Sequence, residues 1–371
     1  TTEHGKHRKT RGMSEKKRSA PSLSTGKGKK AKKAEEESVP PSKENEDIVK
    51  ILNELADIEK NKGERYKFNA YRKAAQTLSH HPTRIKSGSD AKKLPGIGEK
   101  IALKIDEIIS TGTLEKLEKE KGTEENIALH TLTRVHGVGP AQAKKWFEAG
   151  IKTLDDLRAG KVTLNHQQQV GLKYCEDFEQ KIPRSEMIEL EELIKETALN
   201  LDPKLQCQIC GSYRRGADVS GDIDVLVTHP SFTGEEEKSP LSRLVTALKK
   251  RKFLTDDLGL GEKKYMGVCI LPDDKNSDAR IHRRMDIRAI PYSQWGPALL
   301  YFTGSNVFNV EMRRVAIEKG YSLSEYGLFK TRAGKDGKEK EKEKEELVHA
   351  ASEEDIFKAL GMLFKEPSER N

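Results

Sequence analysis

Two aspartates have a spacing that suits the binding of a divalent cation. Asp222 and Asp224 alternate with Ile223 and Val225 in an apolar run, so a β-strand would present both carboxylates on one face. Adjacent carboxylates repel each other unless a cation lies between them, and oxygen-only ligands suit Mg²⁺ completed by substrate phosphates. The pair therefore predicts a magnesium site that acts on a phosphate-bearing substrate.

A third carboxylate, Asp286, lies between Arg284 and Arg288 on one face of a second strand-like run. An isolated aspartate between arginines more often forms a surface ion pair. Beside Asp222 and Asp224, it predicts a site for two Mg²⁺ ions about 3.5–4 Å apart, which would activate a hydroxyl nucleophile and stabilise a pyrophosphate leaving group.

Groups that could hold a polyphosphate surround the first two aspartates. Gly211 and Ser212 close the preceding strand and offer N–H and hydroxyl donors. Further donors of this kind are Arg214, Arg215, Ser220 and Gly221.

Two segments, 94–104 and 135–145, have a pattern typical of a helix-hairpin-helix. Each carries an apolar-x-Gly-apolar-Gly core followed by an amphipathic stretch. The glycines allow a tight turn, and the next helix offers its first N–H groups to a nucleic-acid phosphate without reading a base. A dinucleotide-binding loop would need a third glycine where Ile101 stands. The four glycines of the hairpins are Gly96, Gly98, Gly137 and Gly139.

Positive charge is concentrated in two parts of this chain of 371 residues and net charge +8. Residues 1–34 hold twelve Lys/Arg and two acidic residues, and residues 60–104 hold twelve and three. The second block suggests a phosphate-rich partner, although a merely solvated helical face explains it equally well. Residues 1–45 contain almost no large apolar side chains and are predicted to be a disordered basic tail. Its clusters could be nuclear-import signals, DNA-binding arms or a solubilising segment.

The elements that must position these groups change in type along the chain. Residues 46–183 are predicted to be helical. A helix at about 185–199 is predicted to lead into strands, and residues 297–320 return to helix. Residues 331–346 are predicted to be a solvated loop or the tip of a hairpin. The predicted strands are 205–213, 222–228, 265–271 and 283–290. A helical front followed by a mixed rear predicts the α+β class, with at least two domains.

Several classes of protein are disfavoured. No run of about 18 apolar residues is present, so no membrane-spanning segment or membrane partner is expected. Four cysteines allow too few disulfide bonds to stabilise a chain of this length, which favours a reducing, intracellular compartment. Cys207 and Cys210 lack a second Cys/His pair nearby and are interpreted as structural rather than zinc-binding.

Taken together, these motifs resemble the family X DNA polymerases, and within that family the beta type most closely. The resemblance begins at about residue 46 and also rests on the segments 66–73 and 301–309. It implies an all-α N-terminal lyase domain with helix-hairpin-helix motifs, followed by a polymerase domain with a mixed α/β nucleotidyltransferase palm. The implied divisions are a tail (1–45), a lyase domain with the first hairpin (46–120), a DNA-binding subdomain with the second (121–183), a catalytic palm (184–293) and a nucleotide-selecting subdomain (294–371).

The resemblance also implies two activities. One is template-directed filling of short gaps in base excision repair, by two-metal addition of dNMP to a primer 3′-hydroxyl. The other is a 5′-deoxyribose-phosphate lyase that uses a Schiff base on Lys104. From the residues alone, Lys100 and Lys104 share one helix face, and crowded cations lower the pKa of an amine. Without the resemblance, Lys104 would be interpreted as a solvated lysine.

Site residues follow from the same resemblance. Asp222, Asp224, Asp286 and Lys104 would be catalytic. The residues that would bind dNTP are Arg184, Ser212, Arg215, Ser220, Gly221, Tyr301, Phe302, Gly304, Asn306 and Asn309. Those that would bind DNA are Tyr66, Lys67, Tyr71, Lys100, Arg284, Arg313 and the four hairpin glycines. Backbone carbonyls that would hold Na⁺ or K⁺ belong to Lys92, Leu94, Ile97, Thr133, Val135 and Val138.

The sequence departs from the family pattern at two positions. Tyr66 stands where the family usually has His, and Asn306 replaces an acidic residue of the closest relatives. The Tyr301-Phe302 pair argues against the template-independent members. Residues 1–45 are too short for the BRCT domain of some relatives, and Met13 begins a stretch that resembles the family's usual start.

The expected partners are gapped or nicked DNA, dNTPs and other base excision repair proteins, bound by a monomer. The nucleus is the expected location, with the mitochondrion as the alternative. Two other functions compete with this one. The first is that of another nucleotidyltransferase that shares the Gly-Ser and Asp-x-Asp motifs, and the second is that of a non-catalytic scaffold that binds DNA ends. The paired hairpins argue against the first, and the intact aspartate triad argues against the second.

Overall fold

A computed structural model of the chain describes residues 43–235, 239–272, 280–331, 346–348 and 350–370. Residues 1–42 of the predicted basic tail lie outside this described part, as does most of the predicted solvated segment 331–346. Among the described helices, none has the length and apolar character needed to cross a membrane.

The first helices of the described chain pack around an apolar core. Ile48, Leu52 and Leu55 of the first helix are fully buried, because their spacing places them on one face. The helices of this part are α1 (Glu46–Asn61), α2 (Arg65–Ser79), α3 (Gly88–Ala91), α4 (Glu99–Thr111) and α5 (Glu115–Lys121).

Five further helices surround a second core. Three of them begin at side-chain caps, because Thr123, Thr153 and Asn165 each accept a hydrogen bond from a backbone N–H in the first turn. The helices are α6 (Glu124–Thr133), α7 (Pro140–Glu148), α8 (Leu154–Arg158), α9 (His166–Lys173) and α10 (Cys175–Phe178).

A five-stranded mixed sheet follows. Its strands are β2 (Gln206–Ile209), β4 (Ile223–Thr228), β5 (Leu254–Leu260), β6 (Lys264–Cys269) and β7 (Arg283–Ala289). Their order in the sheet is β2-β4-β7-β6-β5. Strands β4 and β7 pair in parallel, and the other neighbours pair antiparallel. A separate ribbon pairs β1 (Ile182–Pro183) with β3 (Val219–Ser220).

Helices α11 (Arg184–Leu201) and α13 (Leu241–Lys250) pack on one face of the five-stranded sheet. Ile223, Val225 and Val227 of β4 belong to this core. The intervening residues of β4 therefore point to the other face. The short helix α12 (Gly211–Arg214) connects β2 to the ribbon strand β3.

The last part of the described chain has its own core, built on Leu300, Phe308, Met312 and Phe357 among others. Its elements are α14 (Trp295–Thr303), α15 (Asn306–Glu318), β8 (Tyr321–Ser324), β9 (Gly327–Lys330), β10 (Glu346–Val348) and α16 (Glu353–Ala359). Strands β8, β9 and β10 form an antiparallel sheet. Short 3-10 turns lie at Lys43–Asn45, Tyr292–Gln294 and Pro367–Glu369.

The predicted α+β class is confirmed, but two predicted elements have different boundaries and one strand of the five-stranded sheet was not predicted. The strand predicted over 205–213 ends at Ile209, because the chain turns at Gly211 with φ +60°. The helix predicted over 297–320 is two helices, separated at Gly304 with φ +68°. Strand β5 was not predicted, since its sequence contains acidic residues and glycine and its register shifts twice.

Candidate functional site

The parallel pairing of β4 with β7 brings two of the three predicted aspartates together. Asp224 and Asp286 are register partners on these neighbouring strands, and both lie on the sheet face opposite the α11/α13 core. Asp222 immediately precedes β4. The pKa of Asp224 is raised, first by burial and then by the Asp286 carboxylate, so two like charges are held side by side.

Cationic side chains accompany these carboxylates. Arg284 donates a hydrogen bond to Asp222, and the Nζ of Lys264 lies 3.0 Å from Oδ2 of Asp286. Within the described residues, no three His, Cys, Asp or Glu side chains are gathered into a ready metal cage. The donor set nevertheless suits a divalent cation, because it is oxygen-only and because Asp224 and Asp286 carry adjacent charges that a cation would neutralise.

The predicted polyphosphate-binding loop lies beside the carboxylates. A Cβ added at Gly211 would lie 3.7 Å from Oδ2 of Asp224. Ser212 donates to the hydroxyl of Ser220 at 3.1 Å, across the loop. Arg184 Nη1 donates hydrogen bonds to two backbone carbonyls of the loop, that of Tyr213 at 3.0 Å and that of Ala217 at 3.2 Å. Arg184 therefore fixes the shape of the loop in this structure.

Tyr301 and Phe302 lie in the last turn of helix α14 with their rings edge to face, 5.0 Å apart. The Arg288 guanidinium lies 5.0 Å from the centre of the Phe302 ring, and that of Arg313 lies 5.1 Å from the centre of the Tyr301 ring. Asn309 donates to the Tyr301 carbonyl at 2.7 Å. Each ring is thus held between a cation and the other ring.

The segment between these rings and the loop is also fixed. Arg215 Nη1 donates to the Thr303 carbonyl at 2.7 Å, and a Cβ at Gly304 would lie 3.5 Å from that Nη1. Ser305 caps helix α15 by accepting from the Phe308 N–H at 3.3 Å. Asn306, the first residue of α15, follows directly. The predicted phosphate, sugar and base contacts are therefore neighbours in space.

The two predicted hairpins have matching turns. Gly96 and Gly137 adopt φ +86° and +88°. The Ile97 N–H donates to the Leu94 carbonyl at 3.4 Å. In the second hairpin, the Val138 N–H likewise donates to the Val135 carbonyl at 3.0 Å. Thr133 and Lys92 are the other residues whose backbone carbonyls are predicted to hold a cation. Thr133 is the last residue of α6, and Lys92 directly follows α3.

The second glycine of each hairpin begins a helix. Gly98 and Gly139 are the N-cap residues of α4 and α7. A Cβ added at either would meet no atom within 4 Å. Both helix N-termini are therefore open to a close approach by a phosphate.

Lys104 lies on α4, partly buried, with its Nζ donating to the Lys100 carbonyl at 3.1 Å. Its pKa is lowered, chiefly by burial and secondly by the charge of Lys116. Crowding by Lys100, the cause expected from the sequence, contributes less to this shift. The pKa of Lys104 is therefore lowered as expected, but burial is the leading cause, because one face of α4 is packed against its neighbours.

Two of the predicted 5′-phosphate contacts, Tyr71 and Lys67, lie beside Lys116 and Glu59, whose charges also act on Lys104. Tyr71 is buried, and the Lys116 Nζ lies 5.9 Å from the centre of its ring. Lys67 forms ion pairs with Glu64 at 3.3 Å and Glu59 at 3.7 Å. Tyr66, by contrast, is 92% exposed and points away from the packed side chains.

Sequence reasoning missed Lys116 and Glu59. Lys116 Nζ donates to Glu59 Oε1 at 2.6 Å, and Glu59 is 3% exposed. Glu59 follows Leu55 by four residues on the apolar face of α1, so a carboxylate at a core position was a signal in the sequence. Lys116 had no comparable signal, because it lies in an α5 segment of alternating charge.

Comparisons with known proteins agree with this geometry. Matching family models are described as DNA polymerase beta palm (181–292), DNA polymerase beta thumb (298–371), fingers domain of DNA polymerase lambda (130–179), helix-hairpin-helix domain (43–114) and SAM-like helix-hairpin-helix tandem (89–146). The chain is 36% identical over 339 residues to DNA polymerase lambda of Rattus norvegicus, covering 87% of this chain and 56% of that protein. It is 35% identical over 337 residues to DNA polymerase lambda of Arabidopsis thaliana, covering 88% and 62%. The chain thus spans less than two thirds of either relative.

Proposed function

This chain belongs to the family X DNA polymerases, and we propose that it is a template-directed DNA polymerase that fills short gaps in base excision repair. The observation that carries the proposal is the register pairing of Asp224 with Asp286, beside a loop of phosphate-binding groups. The proposed division of the chain is the one given above: 46–120, 121–183, 184–293 and 294–371.

Family X polymerases need a divalent metal, and here Asp222, Asp224 and Asp286 would hold two Mg²⁺ ions. When bound, the ions would activate the primer 3′-hydroxyl and stabilise the pyrophosphate leaving group. Arg215 and Ser212 would orient the triphosphate through charged and hydroxyl hydrogen bonds. Held in this way, the α-phosphate would be placed for in-line attack by the primer 3′-hydroxyl.

The sugar and base of the dNTP would lie against the end of α14. Tyr301 and Phe302 would exclude a ribose 2′-hydroxyl, since their rings and backbone are fixed by Asn309 and Arg288. Asn306 and Gly304 would complete the pocket. Arg313 would contact the template strand. Arg284, which pairs with Asp222 in this structure, would contact DNA.

The second proposed activity is removal of a 5′-deoxyribose phosphate by Lys104. Its neutral amine would attack C1′ of the opened sugar and form an imine with loss of water. Loss of a C2′ proton would then break the C3′–O bond, leaving a 5′-phosphate on the DNA. Water would hydrolyse the imine and restore the amine. Lys67, Tyr71 and Lys100 would bind the phosphate, and Tyr66 would contact DNA from the surface.

The hairpins would grip the DNA backbone without reading sequence. Na⁺ or K⁺ held by their turn carbonyls would bridge to a phosphate. The proposed partners are gapped or nicked DNA, dNTPs and other base excision repair proteins. The proposed location is the nucleus, with the mitochondrion as the alternative, and the proposed state is a monomer.

A gap-filling assay tests the polymerase proposal. DNA with a one-nucleotide gap and each dNTP in turn would be incubated with Mg²⁺ or with a chelator. We expect insertion of the complementary nucleotide, and only with Mg²⁺. Insertion that ignores the template would indicate another nucleotidyltransferase, and gap binding without insertion would indicate a scaffold.

A further inference from the structure

Residues 166–178, which form α9, Tyr174 and α10, connect the second hairpin to the five-stranded sheet. They are called the linking segment below. The apolar cluster between this segment and the sheet contains Val170 and Tyr174 of the segment, Leu258 of β5 and Val268 of β6. In the order of the sheet, β5 and β6 are the two strands that follow β7. The linking segment therefore packs on the sheet beside β7.

The register of β6 with β7 places the linking segment on the same sheet face as the aspartates. Val268 and Met266 of β6 are register partners of Arg284 and Asp286 of β7, and such cross-strand partners point to one face. Met266 packs against the cluster that also contains Val268. The linking segment therefore covers the part of the sheet directly next to the proposed metal site.

On its other side, the linking segment packs directly against the turn of the second hairpin. A Cβ added at Gly171 would lie 2.3 Å from the His136 carbonyl oxygen, and Gln168 Nε2 donates to the Gly137 carbonyl at 3.3 Å. The rings of Phe178 and His136 meet edge to face, with their centres 6.4 Å apart. Because close-packed groups cannot shift independently, the hairpin turn and the linking segment move as one body.

Asp177 joins the linking segment to the beginning of β7. Its Oδ2 accepts the His282 backbone N–H at 3.1 Å, and the His282 ring Nδ1 lies 3.2 Å from the same oxygen. His282 directly precedes β7 and stands four residues before Asp286. At about 3.3 Å per residue, this is about 13 Å along the strand. Asp177 is therefore bonded to the strand that carries one of the proposed metal ligands.

Tyr174 supports the same junction from the side of β5. Its hydroxyl donates to Oδ2 of Asp256 at 2.6 Å, and its ring lies against the His282 ring with the centres 4.4 Å apart. Burial first, and then the hydrogen bond to Asp256, raise the pKa of Tyr174, so its hydroxyl stays protonated as the donor. Tyr174 thus contacts both the edge strand of the sheet and the residue before β7.

We propose that Asp177 and Tyr174 are positioning residues for primer extension, which hold the second hairpin at a fixed distance from the metal site at Asp286. This inference rests on the proposed polymerase function. DNA gripped by the hairpin meets the metal ions in one geometry only while the hairpin is fixed against β7. A displacement of about 1 Å would slow in-line attack by up to about 100-fold. The grip of the hairpin and the dNTP pocket lie on other elements and would stay intact.

The test uses full-length Asp177→Ala with DNA that has a one-nucleotide gap, the complementary dNTP and Mg²⁺. We expect the single-turnover rate of insertion to fall about 10- to 30-fold. The KM for dNTP and the Kd of gapped DNA should both stay within about twofold of wild type, because neither binding site is altered. A substitution that only unfolded part of the protein would lower the amplitude of insertion and not its rate.

Three further variants complete the test. Asp177→Asn keeps an oxygen that accepts the His282 N–H, so its insertion rate should stay within about twofold of wild type. Glu176→Ala is the matched control, because Glu176 also lies on α10 but pairs with Arg158 of α8 at 2.6 Å, and its rate should be unchanged. Tyr174→Phe, which loses only the hydroxyl, should lower the rate about fivefold, and it serves as the test if Asp177→Ala does not fold.

Hydrogen exchange measures the link itself without DNA synthesis. In Asp177→Ala, the backbone amides of residues 135–139 and 282–286 should exchange faster than in wild type and in Glu176→Ala. Unchanged exchange in both ranges would show that Asp177 does not fix the hairpin against β7, and would overturn the inference.

Three kinetic outcomes would also overturn it. They are an unchanged insertion rate in Asp177→Ala, a rise in the Kd of gapped DNA that matches the loss of rate, and a rate in Asp177→Asn as low as in Asp177→Ala. Failure of the polymerase proposal is seen separately, as a wild-type protein that does not insert the templated nucleotide while hydrogen exchange still shows the link.

Discussion

Asp224 and Asp286 are direct register partners on the adjacent parallel strands β4 and β7. Neighbouring strands lie about 4.8 Å apart, so the two carboxylates stand side by side on one sheet face. The pKa of Asp224 is raised, by burial first and by Asp286 second. The fold therefore holds a charge arrangement that is unfavourable until a cation binds.

The first prediction is that Asp224→Asn stabilises the protein in the absence of divalent metal. An acid whose folded pKa is raised loses stability as pH rises, and the cost is fully present above the folded pKa. Urea unfolding at pH 7.5 with a chelator should show a gain on the order of 1 kcal/mol. Mg²⁺ should then stabilise wild type but not the variant. A variant less stable than wild type in chelator would contradict this account.

The second prediction concerns catalysis. Asp286→Ala should slow primer extension by about 1,000-fold or more, since several kcal/mol of transition-state stabilisation are lost with the metal. The Kd for gapped DNA should change little, because the glycine turns of the two hairpins belong to other elements, before α4 and before α7. Asp155→Ala, at a well-exposed surface position, is the control. Extension at a near wild-type rate would show that the triad is assigned wrongly.

The third prediction concerns sugar selection. Tyr301 is held by Asn309 and by Phe302, so the ring and backbone at this point are rigid. We expect wild type to prefer dNTP over the matching rNTP by at least about 100-fold in kcat/KM. Tyr301→Ala should reduce this ratio more than it reduces the use of dNTP. Equal use of both sugars by wild type would exclude this role.

The fourth prediction separates folding from DNA binding at the second hairpin. Gly139 has ordinary φ and open space around its Cβ position, so Gly139→Asp and Gly139→Asn should both fold and cap α7 well. Gly139→Asp should weaken gapped-DNA binding about tenfold or more, because its charge opposes a phosphate at the helix N-terminus. Gly139→Asn should weaken it less. Equal DNA affinity in all three proteins would place the DNA elsewhere.

The fold class and the strand face of each aspartate followed from local sequence patterns, whereas the pairing of β4 with β7 that makes Asp224 and Asp286 neighbours is long-range. Alternation in the segments around Asp224 and Asp286 predicts two strands with carboxylates on one face. The repeated glycine pattern likewise predicted two turns of the same kind, and Gly96 and Gly137 adopt nearly equal φ. These features depend on residues close together in the chain, which is why the sequence was sufficient.

Long-range ion pairs could not be predicted in this way. Glu353 pairs with Arg214, 139 residues away, and Lys116 pairs with Glu59, 57 residues away. No periodicity relates such residues, because their distance depends on how separate helices pack. The bend at Gly304 was missed for a different reason, since a single glycine does not by itself end a helical pattern.

The fifth prediction concerns the lyase nucleophile. Lys104→Ala should abolish most borohydride trapping of a 5′-deoxyribose-phosphate end, because the imine that borohydride reduces forms on this amine. Gap filling should remain intact, because Asp224 and Asp286 lie on other elements. Residual trapping could come from Lys67 or Lys100. Trapping equal to wild type would place the nucleophile elsewhere, and loss of both activities would indicate misfolding, which a thermal melt would reveal.

Lys116 should tune that nucleophile, and the pH profile can show it. Its charge lowers the pKa of Lys104, and it also neutralises Glu59, whose charge raises that pKa. Lys116→Met should therefore raise the pKa of Lys104 for both reasons, so that less of the amine is neutral at a given pH. Single-turnover trapping should fall severalfold at pH 7.5, roughly 3- to 10-fold, and recover at high pH.

The comparison of whole profiles decides between two roles for Lys116. If it acts on the pKa of Lys104, the profile moves to higher pH and its plateau is unchanged. If it only binds the sugar phosphate, the rate falls by one factor at every pH. Lys119→Met on the same helix α5 is the control, because Lys119 is exposed, and its profile should coincide with wild type. A uniform loss in Lys116→Met would therefore replace the electrostatic role with a binding role.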